Sequence, residues 1–409
     1  MTDRKLPEGW RWVRLGQVVA EAQLGFATSE RDPKGIIQLR MNNVTTRGQF
    51  DWTSFIRVPA DTATREAYEI RPGDVLFNNT NSTVLVGKTA IFSGYGEPVV
   101  FSNHFTRLRT IPDQLIPGYL ASWLQAQWQE GLFQQICNRW IGQSAVQREK
   151  LLHLTIPLPP LAEQRRIVAV LNEQMAAVER ARAAAQARSE AAKALPAAYL
   201  RAVFNSTEAQ HWPRRRLGNV CDINPRRPEI RRSDDAPTTF VPMAAVQDGG
   251  RGIAAPEQKP FGILKKGYTF FREGDILFAK ITPCMQNGKH AVACNLSDGI
   301  GFGSTEFHVV HPGHDVVPEW IHSFFLQPQV LEAAKASFVG MVGQQRVPDD
   351  FLASLTLPLP SLAEQRRIVA ILNEQMVAVE RARAAAQAQL EAISSLPAAL
   401  LRRAFSGGL

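Results

Sequence analysis

Ile167, Leu171, Met175, Val178, Arg182 and Ala185 recur at steps of four and three along an otherwise polar stretch. Ile368, Leu372, Met376, Val379, Arg383, Ala386, Leu390 and Ile393 repeat the rhythm near the other end of the chain. A narrow stripe of this period is the seam of a coiled coil. Each helix is predicted to open just after prolines, Pro159 and Pro160 in one copy and Pro358 and Pro360 in the other. Glu163 and Glu364 then sit in the first turn, where the helix dipole favours an acid. Pro196 and Pro397 are expected to interrupt the helices, leaving a last short turn that ends near Phe204 and Phe405. The triplets Ala183 to Ala185 and Ala384 to Ala386 lack bulk, so two backbones can approach closely there.

Elsewhere the pattern changes to short β-branched or aromatic runs bounded by Gly, Pro, Asn or Asp. IIQLRMNNV, GDVLFNN, KTAIFSG, GDILFAKI and FGSTEFHVV read as strands. YLASWLQAQWQEGLFQQI and EWIHSFFLQPQVLEAAKA carry apolar residues at helical spacing. The fold class is therefore mixed α/β, with a curved, irregular sheet in each globular part.

The two helices are copies of each other. Residues 161–187 return 201 positions later with two changes, and residues 154–204 match 355–405 at 39 of 51 positions. Upstream the correspondence thins but keeps its order. Trp10 with LGQVV answers Trp212 with LGNVC, RPGDVLF answers REGDILF, Gly87-Lys88 answers Gly288-Lys289, Pro117 answers Pro318, and Gly142-Gln143 answers Gly343-Gln344. The chain thus divides into a globular domain (1–153), a helical spacer (154–204), a second globular domain (205–354) and a second spacer (355–409). Two helices with the same stripe can pair about a two-fold axis, as in an isologous dimer fused into one chain. If they run antiparallel they form a ruler: a helix of about 35 residues is roughly 50 Å long, close to 15 base pairs of duplex.

Composition narrows the function. The 409 residues are 45% hydrophobic and 21% charged, as in a soluble globular protein with ample core. No apolar signal region opens the chain and no run is long enough to span a membrane, so the cytoplasm is the expected location. Four scattered cysteines, Cys137, Cys221, Cys284 and Cys294, fit a reduced compartment. A formal charge of +8 and a pI near 9.5 favour an acidic partner, nucleic acid above all.

Motifs that would argue for an enzyme fall short. VGKTA ends like a phosphate-binding loop, but Ser82 stands where that loop needs its first glycine. Asn224-Pro225 is followed by Arg226 rather than by the second proline and aromatic residue of amino-methylating enzymes. His308, His311 and His314, and separately Cys284, His290 and Cys294, do not make four well-spaced zinc ligands. No catalytic residue, metal, cofactor or small-molecule substrate is expected for this chain.

The doubled P-L-A-E-Q-R-R-I-V element, the approach GMVGQQRV, and GDILFAKITPCMQNGK followed by GFGSTEFHVV resemble the specificity subunit of type I restriction-modification systems, and the resemblance covers essentially the whole chain. It implies two tandem target recognition domains, each followed by a long helix, the helices forming an antiparallel coiled coil, and a split asymmetric DNA site. It also implies two modification subunits docked on the helical regions, restriction subunits joining them, and S-adenosylmethionine, ATP and Mg²⁺ used by those partners rather than by this chain. The helix openings Glu163, Gln164, Arg165, Arg166 and Glu364, Gln365, Arg366, Arg367 are the partner-contact candidates. A coiled-coil scaffold that reads no DNA stays open as the alternative.

Amides, Arg and Lys read base edges, and Lys and Arg hold phosphates. The NNTNST loop supplies Asn78, Asn79, Thr80 and Asn81, with Lys88 behind it, and its counterpart supplies Lys280, Thr282, Gln286, Asn287 and Lys289. Arg40, Asn42 and Asn43 are further candidates. Arg226 and Arg227, within the cluster Arg214, Arg215, Arg216, Arg231 and Arg232, mark either a phosphate track or a basic linker that contacts the acidic surface of a partner.

Overall fold

The stripe folds as expected, in helices longer than expected. Leu161–Phe204 and Leu362–Phe405 are each one helix of 44 residues, with Pro196 and Pro397 inside them rather than at a break. A proline inside a helix costs about 3 kcal/mol, whereas each large apolar side chain buried beyond it returns roughly 1.5–3 kcal/mol. Leu200 and Phe204 beyond Pro196 are buried, as is Leu401 beyond Pro397, with Leu400 and Phe405 packed against the same core, so packing outweighs the lost hydrogen bond. At 1.5 Å per residue each helix is about 66 Å long, not the shorter rod expected from a break at proline.

The computed structural model describes residues 6–59, 61–341 and 344–408. It divides into a first unit, Met1–Ala185 with Ala388–Leu409, and a second, Gln186–Gln387. Each unit holds one globular domain, the opening half of one long helix and the closing part of the other. In the first unit Leu401 and Ala404, from the end of the later helix, share a core with Ile167 and Leu171, from the start of the earlier one. Val178 and Ala185 pack with Ile393, flanked by Leu390 and Leu400. In the second unit Leu200 and Phe204 meet Ile368, Val369 and Leu372. In both units the end of one helix lies against the start of the other, so the pairing is antiparallel.

The first globular domain carries an antiparallel sheet in the order Val19–Leu24, Phe105–Thr110, Val75–Asn78, Thr89–Ile91. A second sheet runs Ile56–Val58, Ile36–Leu39, Val99–Phe101, its last pair parallel. The second domain repeats the plan with Cys221–Ile223, Phe307–Pro312, Ile276–Ala279 and His290–Val292 in one sheet. Its other sheet is Glu257–Pro260, Pro237–Val241, Ile300–Gly303, Thr269–Arg272. FGSTEFHVV is thus two strands in different sheets, not one. Each predicted globular helix is split in two, at Gly131 (φ 77°) between Pro117–Gln129 and Leu132–Ile136, and at Pro328 between Pro318–Phe325 and Pro328–Ala336.

The copies keep bonds while changing residues. Tyr119 donates its hydroxyl to the Pro157 carbonyl at 2.7 Å, and Trp320 donates its indole N–H to the Pro358 carbonyl at 2.9 Å. Elsewhere they diverge chemically: His290 lies fully buried with its ring 4.8 Å from that of His322, where the first copy has Thr89 and Ala121. Burial pushes both imidazoles down, His322 to about 4 and His290 well below the usual 6.5. Unfolded, both would titrate near 6.5, so at lower pH the unfolded chain takes up protons that the folded unit resists. The stability this pair contributes is complete above about pH 6.5 and lost as pH falls toward 4. Urea unfolding at pH 7.5 and pH 5 checks this: the second unit should weaken at pH 5, and His322→Ala should flatten the difference.

Candidate nucleic-acid interface

Both domains approach the candidate surface through the same turn. Asp74 accepts from the Arg71 amide at 2.8 Å and Asp275 from the Arg272 amide at 2.7 Å, and the buried strands Val75–Asn78 and Ile276–Ala279 follow. The next residue makes the same backbone ties in each copy. Asn79 donates its amide to the His104 carbonyl and accepts from Val146; Lys280 donates to Glu306 and accepts from Val347.

The amide-rich loop faces inward, contrary to expectation. Asn78, Asn79 and Asn81 are buried. Asn78 donates to the carbonyls of Thr80 and His104, Asn79 to the Asn103 carbonyl and the Thr106 hydroxyl, and Asn81 to the Asn78 side-chain oxygen. Buried amides must be paired, and these spend their donors on the turn itself, so they are removed from base contact. Thr80, half-buried, donates to Asn79.

Lys88 is likewise corrected. Its ammonium is buried on the carbonyls of Met41 and Val44, and burial lowers its pKa. Lys289 repeats the contact on Met243 and Val246, with Asp248 at 3.4 Å. The two lysines pin equivalent 3-10 turns, Met41–Asn43 and Met243–Ala245, rather than a phosphate. Asn43 is buried too and donates to the Asp51 and Ser54 carbonyls.

What stays accessible is a smaller set. Asn42, Gln286, Asn287, Arg226 and Arg227 are exposed, and Arg40, Lys280 and Thr282 are half-buried. Arg227 also donates to the Lys265 carbonyl at 2.5 Å. Arg214–Arg216 form an exposed strand paired with Thr356–Pro358. Arg232 leaves the track, tied to the Pro237 carbonyl and to Asp298 at 2.7 Å. Arg226 lines a cleft of about 530 Å³ with Asn224, Arg272 and His311.

Sequence reasoning missed a hairpin. Asn138–Trp140 and Gln143–Ala145 pair with each other and then with Thr80–Asn81, so the inward amide loop is its anchor. The signal available was Gly142-Gln143 recurring as Gly343-Gln344 after apolar residues; Gly343 itself lies outside the described residues.

At the helix openings, Glu163 pairs with Arg166 at 2.7 Å and Glu364 with Arg367 at 2.6 Å, while Arg165 and Arg366 are exposed. The two glutamines are corrected. Gln164 accepts from the Ile116 amide and donates to the Gln114 and Pro159 carbonyls. Gln365 does the same with Val317, Asp315 and Pro360. Both are buried, clamping helix to globular domain with nothing left to offer a partner.

Among the described residues no group of three or more His, Cys, Asp or Glu is placed to hold a metal, and no helix is long and apolar enough to cross a membrane. A family model described as the type I restriction modification DNA specificity domain matches residues 7–184 and again 210–384. The specificity subunit of the type I restriction enzyme EcoAI from Escherichia coli is 35% identical over 192 residues, 46% of this chain. That alignment spans 32% of the relative, so the chain covers about a third of its length. In fold, the chain is similar to a chain from a type I R-M system, TM-score 0.69 at 24% identity, covering 99% of this chain and all of that one. It is also similar to the HsdS subunit from Thermoanaerobacter tengcongensis, TM-score 0.63 at 24% identity, covering 100% and 99%.

Proposed function

Since the chain belongs to the type I restriction modification DNA specificity domain family, we propose that it is the sequence-reading subunit of a type I restriction-modification complex. It binds a bipartite, asymmetric site in double-stranded DNA, one half with each globular domain. Two modification subunits dock at the helix openings, around Arg165 and Arg366, and restriction subunits join them in the cytoplasm. The partners carry the S-adenosylmethionine, ATP and Mg²⁺ chemistry; this chain performs no catalytic step. Its own residues position the duplex and select the bases.

The observation that carries this reading is where the two copies agree and where they differ. The glutamine clamps, the lysine pins and the helix stripes are the same atom for atom in role. The accessible polar residues are not: Arg40 and Asn42 in one copy, Lys280, Gln286 and Asn287 in the other. One scaffold presented twice with different polar tips suits the reading of two unlike half-sites.

The test is salt-dependent binding of the chain, assembled with its modification partner, to duplex carrying the methylated site. Affinity should fall steeply as salt rises. Arg226→Ala with Arg227→Ala should weaken binding across sequences and reduce the logarithmic salt slope by about 2. A complex with little duplex affinity at any salt would favour a protein scaffold instead.

A further inference from the structure

The hairpin missed from the sequence ends in bare apolar side chains. Trp140 is 60% exposed and Ile141 fully so, at a two-residue loop closed by Gly142 with φ 76°. Its base is rigid. Ser144 pairs with Asn81 and hydrogen-bonds the Thr83 hydroxyl at 2.7 Å, and Lys150 donates to Ile136 and Asn138 beneath the first strand. In the second domain Val339 and Arg346 bridge, Ile281 bridges Arg346, and Met341 is 82% exposed. Each domain therefore holds large apolar groups in water on the segment that pairs with the chain just after its buried strand, at Thr80–Asn81 in one and at Ile281 in the other.

We propose that the hairpin tip is a wedge that enters the DNA between stacked base pairs, Trp140 with Ile141 in one half-site, and that Met341 takes the same part in the other. The inference rests on the DNA-reading function proposed above. Apolar wedges on a positively charged support partly unstack a base step and kink the duplex, and an aromatic face stacks on any base. The charge around the tips fits that partner. No acidic residue occurs between positions 138 and 148 or between 337 and 348; Arg139 flanks the first tip, while Arg148 is paired with Glu149 at 3.2 Å and Arg346 with Glu306 at 2.8 Å. Two side chains also offer too little area for a protein interface, which needs about 800 Å² from each partner, but enough to fill one opened step.

The test uses the full chain assembled with its modification partner. Trp140→Gln with Ile141→Thr should lower affinity for the cognate duplex about ten- to a hundredfold and straighten the DNA, read by energy transfer between dyes at its ends. The salt slope should stay unchanged, since no phosphate contact is lost. Trp140→Phe with Ile141→Leu should restore both. Unaltered affinity and bend in the polar variant would overturn the wedge while leaving the DNA-reading function intact. Loss of assembly with the modification subunit, at unchanged chain stability, would assign the tip to a protein contact and overturn it too. A wild-type complex that fails to bind duplex would overturn both.

Discussion

Gln365→Ala should destabilise the second unit by about 3–5 kcal/mol. The side chain is wholly buried and satisfies three backbone groups at once, the Val317 amide at 2.9 Å, the Asp315 carbonyl at 3.0 Å and the Pro360 carbonyl at 2.9 Å. Alanine leaves all three without their partner in a site where each unsatisfied group costs about 1–3 kcal/mol. Against a domain stability of about 5–15 kcal/mol, that is a large share. Glu would not rescue it, because a carboxylate keeps the acceptor for Val317 but turns lone pairs on two carbonyls. Urea unfolding gives the energy, and hydrogen exchange at the Val317 amide locates it. Arg366→Ala, one residue along and exposed, should leave stability within about 0.5 kcal/mol and weaken docking of the modification subunit. If Gln365→Ala unfolds like the parent with Val317 still protected, the clamp is not what holds helix to domain.

That contrast between neighbours marks what is legible in this sequence. The stripe from Ile167 to Ala185 is a periodic signal, and periodicity survives folding because it is what packing selects. The same holds for the strand GDILFAKI, whose Ile276–Ala279 core is buried on both faces. The length of the helices was not legible, because whether Pro196 ends a helix depends on where Leu200 and Phe204 land, a fact of tertiary structure. The site suffered most. An asparagine-rich loop looks the same whether its amides face bases or carbonyls, and Asn78, Asn79 and Asn81 face carbonyls. Lys88 and Lys289 mislead for a related reason: a lysine beside a glycine suggests an anion, yet four backbone carbonyls are their partners. Gln164 and Gln365 were picked out by repetition, and repetition marks a bond the scaffold needs twice as readily as a surface a partner needs twice.

Lengthening both long helices together should move the two halves of the DNA site apart in proportion. Three heptads inserted after Ala185 and three after Ala386 keep the apolar stripe in register with a period of 3.5. They add about 31 Å at 1.5 Å per residue, or about nine base pairs at 3.4 Å each. Nine base pairs is close to one turn of the duplex, so the grooves return to nearly the same faces and the complex should methylate a site whose spacer is longer by about that number. A single heptad in each helix adds about 10 Å, or about three base pairs, and turns the far half-site by roughly a third of a turn. That variant should bind more weakly than either the parent or the three-heptad form. Three heptads in one helix alone leave the inserted apolar stripe with no matching stripe to pack against and should abolish site-specific binding. Sequencing of methylated sites reads all three outcomes. Antiparallel pairing, present inside each unit, acts as a ruler only if the spacer follows the helices; a three-heptad complex that still methylates the parental spacing would mean the distance between half-sites is set elsewhere.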